Sequence, residues 1–305
     1  LLSAEGPDVW PRLAKEIGVA GLLIPAEFGG ADAGLAEACA VLEELGAVLS
    51  PAPMLGSAVL ATTALLSAGH HDLLPSLADG STTATLAWAS HDGSWVPFAA
   101  EEGELTGEAH YLLHGDIVLA LAHTSDGVGL FRVDTQPEPV VTMDLTRPLR
   151  MLRLSNTPAE FLGLPDLARL RDVVCVALAA EQTGAAARAL QITVEYVKTR
   201  VQFGRTIGSF QAIQHRLADL YVLVETARSV YLAALDGTPE SAAVARIHCT
   251  EAFNTVAAEM IQLHGGIGIT WEHDAHRYFK RAHSSAHLLG LPSTHLTRLS
   301  SSALS

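Results

Sequence analysis

An arginine and a glutamine, Arg200 and Gln211, stand at the two ends of RVQFGRTIGSFQ, a glycine-punctuated break between two periodic apolar segments. A guanidinium is a planar fork that engages two phosphate oxygens at once and keeps its charge at physiological pH. An amide at the far end of the break adds a neutral donor and acceptor. The pair suits a small phosphate-bearing ligand. A second stretch, QLHGGIGITWEHD at 262–274, sets Gln262 and His264 before Gly265, Gly266 and Gly268. Glycines there let backbone N–H groups approach a ligand closely. The same GGxG pattern also serves as a helix C-cap followed by a tight turn, and taken alone it leaves both readings open.

Composition narrows the ligand. Nineteen basic against thirty-three acidic side chains give a formal charge of -14, which repels nucleic acid and anionic membrane surfaces. Neither is expected as a partner, so Arg200 is a local positive site in an acidic chain. Cys39, Cys175 and Cys249 lie far apart in apolar stretches with no CxxC pair, which fits buried thiols and a cytoplasmic, reducing compartment. The opening LLSAEGPDVW reads as no export signal, and no apolar run is long enough to read as a membrane span. His264, His273 and His276 cluster near the glycine turn without a further ligand at motif spacing, so no metal is expected.

The elements that must position these residues follow from periodicity. Residues 8–75 read as helices, with WPRLAKEIGVAGLL and LAEACAVLEELGAVL spaced by three and four and PAEFGG (25–30) as a loop. From about Thr82, TATLAWAS, DIVLALAHT, GVGLFRV and MLRLSN alternate as strands do. Helix returns over 165–199, 209–236 and 239–264, the last two joined by the turn Asp236-Gly237-Thr238, with Thr238 as cap and Pro239 first in the helix. In TWEHD, Thr270 is expected to cap the next helix, with Glu272 and Asp274 at its amino end. The roles of Arg277, Lys280 and Arg281 on that helix stay open. Helices, then a small β-module, then long antiparallel helices make the class α+β. The expected division is 1–79, 80–163 and 164–305.

RxQFGRxIGxFQ followed some fifty residues later by QLHGGxGxTWEHD resembles the acyl-CoA dehydrogenase family, in that family's order. The amino-terminal GLLIPAEFGG and LEELG extend the resemblance over essentially the whole chain. It implies an N-terminal helical domain, a small central β-domain and a C-terminal helical bundle. It also implies FAD held across subunit interfaces in a homotetramer or an α2β2 assembly. Carried over, Arg200 pairs with the FAD pyrophosphate, Phe203 packs on the cofactor and Gln211 hydrogen-bonds it. Gln262, His264, Gly265 and Gly266 hold its adenosine end.

The family's chemistry needs a glutamate to take the α-proton of an acyl-CoA while hydride leaves to the flavin. At the two places where the family carries it, this chain has Val174 and Gly290. Asp172 lies about 200° around the helix from Val174. Glu181 lies one heptad on and is expected to be a solvated or interface residue rather than the base. The β-module also lacks the family's Trp-Ile-Thr-like strand, reading ELTGEAHYLLHGDIVLALAHTS instead. No catalytic residue is therefore assigned. The chain is similar to the short partner subunits of actinobacterial α2β2 acyl-CoA dehydrogenases acting on steroid side-chain CoA thioesters. Their AAEQxG and VEYxKxRxQFGRxIGSFQAIxH segments match 179–184 and 194–215. The resemblance implies a non-catalytic subunit that completes the FAD site of a base-containing partner in a β-oxidation step. The alternatives are a self-sufficient homomer using Glu181, or a flavin-free scaffold of the same fold.

Overall fold

The computed structural model describes residues 9–235 and 238–302. Helix α1 (Val9–Arg12) widens into π-type turns at Leu13–Ile17 and stops at Gly18, whose φ of 82° is left-handed and whose N–H closes on the Leu13 carbonyl. WPRLAKEIGVAGLL is therefore not one helix, because a left-handed glycine terminates it mid-pattern. Helix α2 (Leu35–Ala47) follows the PAEFGG loop, and its Gly34 N–H is capped by Glu37. Wide turns at Met54–Ala61 then lead into α3 (Thr62–Ser67), and α4 (Leu74–Ala78) precedes the strands.

The strands are β1 (Ala84–Ala87), β2 (Phe98–Glu101), β3 (Glu104–Leu112), β4 (Ile117–Thr124), β5 (Gly127–Val133), β6 (Glu138–Val140) and β7 (Leu149–Gly163). Pairing runs β4, β2, β3, β7, β5 and back to β4, so the sheet closes on itself as a small barrel. β1 adds parallel to β4 outside that ring. Closure explains why β4 is apolar on both faces. Val118, Ala120 and Ala122 fill the barrel, while Leu119 and Leu121 face the helical core.

Helix α5 (Leu167–Thr199) runs through the centre and is the one helix among the described residues long and apolar enough to cross a membrane; most of it is buried inside the protein. It crosses α2 at very close range, since a Cβ at Gly46 would strike the Glu181 carbonyl and one at Gly184 the Glu43 carbonyl. After α5 the RVQFGRT segment forms a hairpin of β8 (Val201–Gln202) and β9 (Arg205–Thr206). Its two turn residues, Phe203 and Gly204, have φ of 53° and 76°, the pattern of a type I′ turn. A 3₁₀ turn at Ile207–Ser209 delays the next helix, so α6 spans Gln211–Ala233 rather than 209–236. Asp236 and Gly237 of the expected turn lie outside the described residues.

Helix α7 (Pro239–His264) starts as read, the Thr238 hydroxyl accepting from the Ser241 N–H. Helix α8 spans Ala275–His287 and α9 Pro292–Ser302. Thr270 does not cap α8. Its hydroxyl donates to the Ile267 carbonyl, ending the 3₁₀ turn Gly265–Ile269, and the Ala275 N–H is taken instead by His273 Nδ1 at 3.1 Å. The three cysteines are buried and unpaired.

Candidate functional site

Two short motifs far apart in sequence meet at one end of the helical bundle. Tyr196, one turn before the end of α5, donates from its hydroxyl to the His264 carbonyl at 3.3 Å, and the two rings stack at 4.3 Å. The His273 ring packs tilted against His264, its centre 4.3 Å away. Arg216 on the second turn of α6 pairs with Glu259 near the end of α7 at 3.4 Å. The carboxyl ends of α5 and α7 and the amino end of α6 therefore lie together.

Arg200 is the C-cap of α5, its N–H donating to the Tyr196 carbonyl and its own carbonyl accepting from Ile207 at 2.8 Å. The backbone is fixed while the guanidinium is exposed and has no partner among the described residues. Gln211 opens α6, whose amino end carries no side-chain cap, so the positive end of the helix dipole faces out beside it. Phe203 is 92% exposed on a left-handed backbone, a conformation uncommon for a bulky residue, and Phe210 lies 6.2 Å from it with Arg205 over its ring at 3.9 Å. Gln262 is exposed on the last turn of α7. Gly265 needs its positive φ of 64°, but at Gly265 and Gly266 alike a Cβ would meet only open space. The fold leaves room above this turn. His264 is 97% buried by its ring neighbours' packing, being 3% exposed; Nδ1 donates to the Met260 carbonyl at 2.7 Å and Nε2 has no partner. Burial holds its pKa below the usual histidine value, so the ring is neutral and Nε2 is a free acceptor. Unpaired guanidinium, bare helix terminus, open glycine turn and orphaned ring nitrogen together fit a dinucleotide phosphate and its nucleoside.

His264 and His273 pack against each other in the aromatic group, and His276 packs edge-on against Trp271 at 4.7 Å. No group of three metal-ligating side chains occurs among the described residues.

The two positions of the expected base lie elsewhere and are closed. Val174 lines a residual cavity of about 10 Å³ with Leu55, Leu60, Trp88, Leu113, Leu288 and Leu289. That is scarcely room for one water molecule, and no liner is polar except through the Trp88 indole. From the 288–290 segment the cavity is lined by Leu288 and Leu289, the two residues before Gly290. Gly290 itself has a φ of 91°, which a glutamate would adopt only under strain. Its carbonyl is one of four, with those of Ser285, Ala286 and Leu288, that accept from Nη2 of the fully buried Arg246. Arg246 was not foreseen as important; the only trace in the sequence is a lone cation inside the apolar run AAVARIHC.

Glu181 is neither solvated nor at a surface. It is 7% exposed and accepts from both Arg147 and Arg281, the latter at 3.1 Å, while Arg281 also engages Asp144 at 2.9 Å and the Thr146 carbonyl at 2.8 Å. Four buried charges, two of each sign, fasten the β6–β7 loop to α5 and α8. Sequence spacing could not find this cluster because its members come from three distant segments. Asp172, the other nearby acid, is tied to Arg298. Arg277 pairs with Asp274 at 3.4 Å, and the Lys280 ammonium sits 4.2 Å from the centre of the Trp271 ring.

Comparisons with known proteins bear on the whole chain. Residues 3–81 match the family model described as acyl-CoA dehydrogenase, N-terminal domain, and 173–302 match acyl-CoA dehydrogenase, C-terminal domain. The chain is 46% identical to acyl-CoA dehydrogenase IpdE2 of Mycobacterium tuberculosis over 297 residues, covering 96% of this chain and 86% of that one. It is 45% identical to the IpdE2 of Mycolicibacterium smegmatis over 298 residues, covering 96% and 87%. Among solved structures, a variant of the Tcur3481–Tcur3483 steroid ACAD superposes with a TM-score of 0.89 at 33% identity, covering 100% of this chain and 92% of that one. The ChsE4–ChsE5 complex of M. tuberculosis also superposes with a TM-score of 0.89, at 29% identity and 99% and 90% coverage.

Proposed function

The chain belongs to the acyl-CoA dehydrogenase family, and from that premise we propose that it is the non-catalytic subunit of a heteromeric enzyme, completing the FAD site of a base-containing partner. The observation that carries this reading is the contrast between the two halves of the cofactor site. The end that would grip a dinucleotide is open and polar, with Arg200 unpaired. The place where a base would face a flavin is an apolar cavity of about 10 Å³. No isoalloxazine fits there without moving Trp88, Leu113 and Leu289.

FAD, when bound across the interface, supplies the hydride acceptor for α,β-desaturation of an acyl-CoA thioester. This chain's residues bind and orient. Arg200 places its fork against the pyrophosphate, and Gln211 and the bare α6 terminus add donors beside it. Phe203 covers the cofactor from the hairpin tip. Gln262, His264 Nε2 and the backbone at Gly265 and Gly266 hold the adenosine end. We assign the proton-abstracting glutamate to the partner, because Val174 and Gly290 provide none here. Exposed Val201, Phe203 and Ile269, with Tyr221 and Val222 farther along α6, support a covered face that reaches from this end of the bundle. Similarity to a steroid ACAD supports a steroid-derived acyl-CoA as substrate, and the heteromeric relatives support an α2β2 assembly. We retain the division 1–79, 80–163 and 164–305 and a cytoplasmic location within this proposal.

Glu181 as a displaced base is not favoured, because its carboxylate already serves two guanidiniums inside the protein. The deciding experiment expresses this chain alone and together with a base-containing homologue as candidate partner. The co-expressed complex should carry flavin and turn over acyl-CoA; the lone chain should do neither. Stoichiometric flavin and full activity in the lone chain would overturn the proposal, and a flavin-free active-site-dead complex would favour the scaffold reading.

A further inference from the structure

A further cleft of about 510 Å³ is lined by none of the seven residues assigned to FAD. Its walls are the 47–51 segment after α2, the 144–148 loop, the middle of α5 and the first turns of α8. Its size falls in the range of small-molecule sites.

Three cations converge on it in a chain whose formal charge is -14: Arg188 from α5 and Arg277 and Lys280 from α8. Two acids line it as well, but each is engaged. Asp144 is held by the buried Arg281, and Asp274 sits 3.4 Å from Arg277. Arg188 meets one carboxylate at long range, Glu195 at 3.8 Å, and hydrogen-bonds the Tyr278 side chain, which also lines the cleft. The other walls are apolar and presented to solvent, with Trp271 74% and Leu145 70% exposed. Lys280 lies over the Trp271 ring, so a cation and a flat apolar surface are offered side by side. His276 lines the same cleft, is 8% exposed, and leaves Nδ1 without a partner. Burial, with Lys280 and Arg277 beside it, holds this histidine below its usual pKa and therefore neutral. Water alone gives such a surface little reason to keep an exposed tryptophan and leucine around converging cations.

We propose that this cleft is a binding site for an organic anion with a single acidic group and a flat apolar body, in chemical class an aromatic carboxylate or sulfonate. Arg188 and Lys280 receive the charge, and Trp271 and Leu145 receive the body. The engaged carboxylates of Asp144 and Asp274 disfavour a polyanion, which separates this site in chemistry from the one that grips a dinucleotide.

The test uses 8-anilinonaphthalene-1-sulfonate as the aromatic anion and N-phenyl-1-naphthylamine as its uncharged counterpart, titrated into the full chain and into its complex with the partner. The expected result is one saturable sulfonate site per chain, with energy transfer from tryptophan that Trp271→Phe abolishes. The Arg188→Ala/Lys280→Ala double variant should weaken the sulfonate at least tenfold, and the uncharged counterpart should bind at least tenfold more weakly than the sulfonate. Flavin content of the complex should be unchanged, so failure here is distinct from failure of the FAD proposal. Equal binding of charged and uncharged probes, or a dissociation constant within twofold in the double variant, overturns the site. Should the double variant not fold, Lys280→Gln alone decides, a threefold weakening being expected and no change overturning the proposal.

Discussion

Arg200→Ala should leave the fold intact, because the exposed guanidinium makes no hydrogen bond or ion pair among the described residues; its backbone caps α5 and anchors the hairpin. A phosphate contact of this kind contributes about 1.5–3 kcal/mol. Arg200→Ala should therefore lower FAD affinity of the assembled complex by about 10- to 100-fold, with the melting temperature of the lone chain unmoved. Equilibrium dialysis of flavin and a thermal melt check both halves. Arg200→Lys should recover part of the affinity, since charge returns without the bidentate fork. His295 makes a prediction about pH. It is 2% exposed, Nε2 donates to the Leu289 carbonyl at 2.9 Å, and burial pushes its pKa down to about 4. In the unfolded chain it binds a proton near pH 6.5, so the unfolded state holds more protons between these values. The neutral ring's contribution is full above pH 6.5 and is lost as pH falls toward 4. By this linkage the chain should lose about 2 kcal/mol between pH 7.5 and 5 from this residue alone. His295→Gln should flatten that part of the stability profile measured by urea unfolding.

At the scale of elements, two contacts decide how the helices sit. The α2–α5 crossing depends on Gly46 and Gly184, where each helix presses on the other's backbone. Gly184→Ala improves helix propensity by about 1 kcal/mol, yet the new methyl group has no space against the Glu43 carbonyl. Overpacking should win, with a net loss of about 1–2 kcal/mol in denaturant unfolding. The second contact is Arg246, which gathers four carbonyls at the end of α8 and so fixes the segment that closes the apolar cavity. Its pKa is pushed down to about 10 by burial, so it remains charged at neutral pH. Arg246→Ala leaves those carbonyls unsatisfied and should cost about 3–5 kcal/mol, with hydrogen exchange accelerating first at 285–290. The strand pattern and the long helices were legible because periods of two and of three to four report directly which face is buried. The end of the first helix at Gly18 and the start of α8 were not, since a left-handed glycine and a histidine cap obey local geometry rather than periodicity.

For the whole molecule, the expectation is a division of labour between chains. Purified alone, the protein should be colourless and should expose the apolar hairpin tip around Phe203; with its partner it should bury that tip and acquire flavin, read as a visible spectrum and a change in sedimentation. The family, the order of helices and β-module, and the choice of Arg200, Gln211 and Gln262 as candidate ligand-binding groups all came from local chemistry that survives in linear order: residue type, spacing and glycine placement. The loss of a glutamate at Val174 and Gly290 was legible in the same way. Only the tertiary structure decided what replaced it, a cavity sealed by Trp88, Leu113 and Leu289 and locked by Arg246. It also turned Glu181 from an expected surface acid into one corner of a buried four-charge cluster. The reason is physical: burial and charge pairing depend on which distant segments meet, and Asp144, Arg147, Glu181 and Arg281 acquire their roles only once the barrel loop, α5 and α8 have packed together.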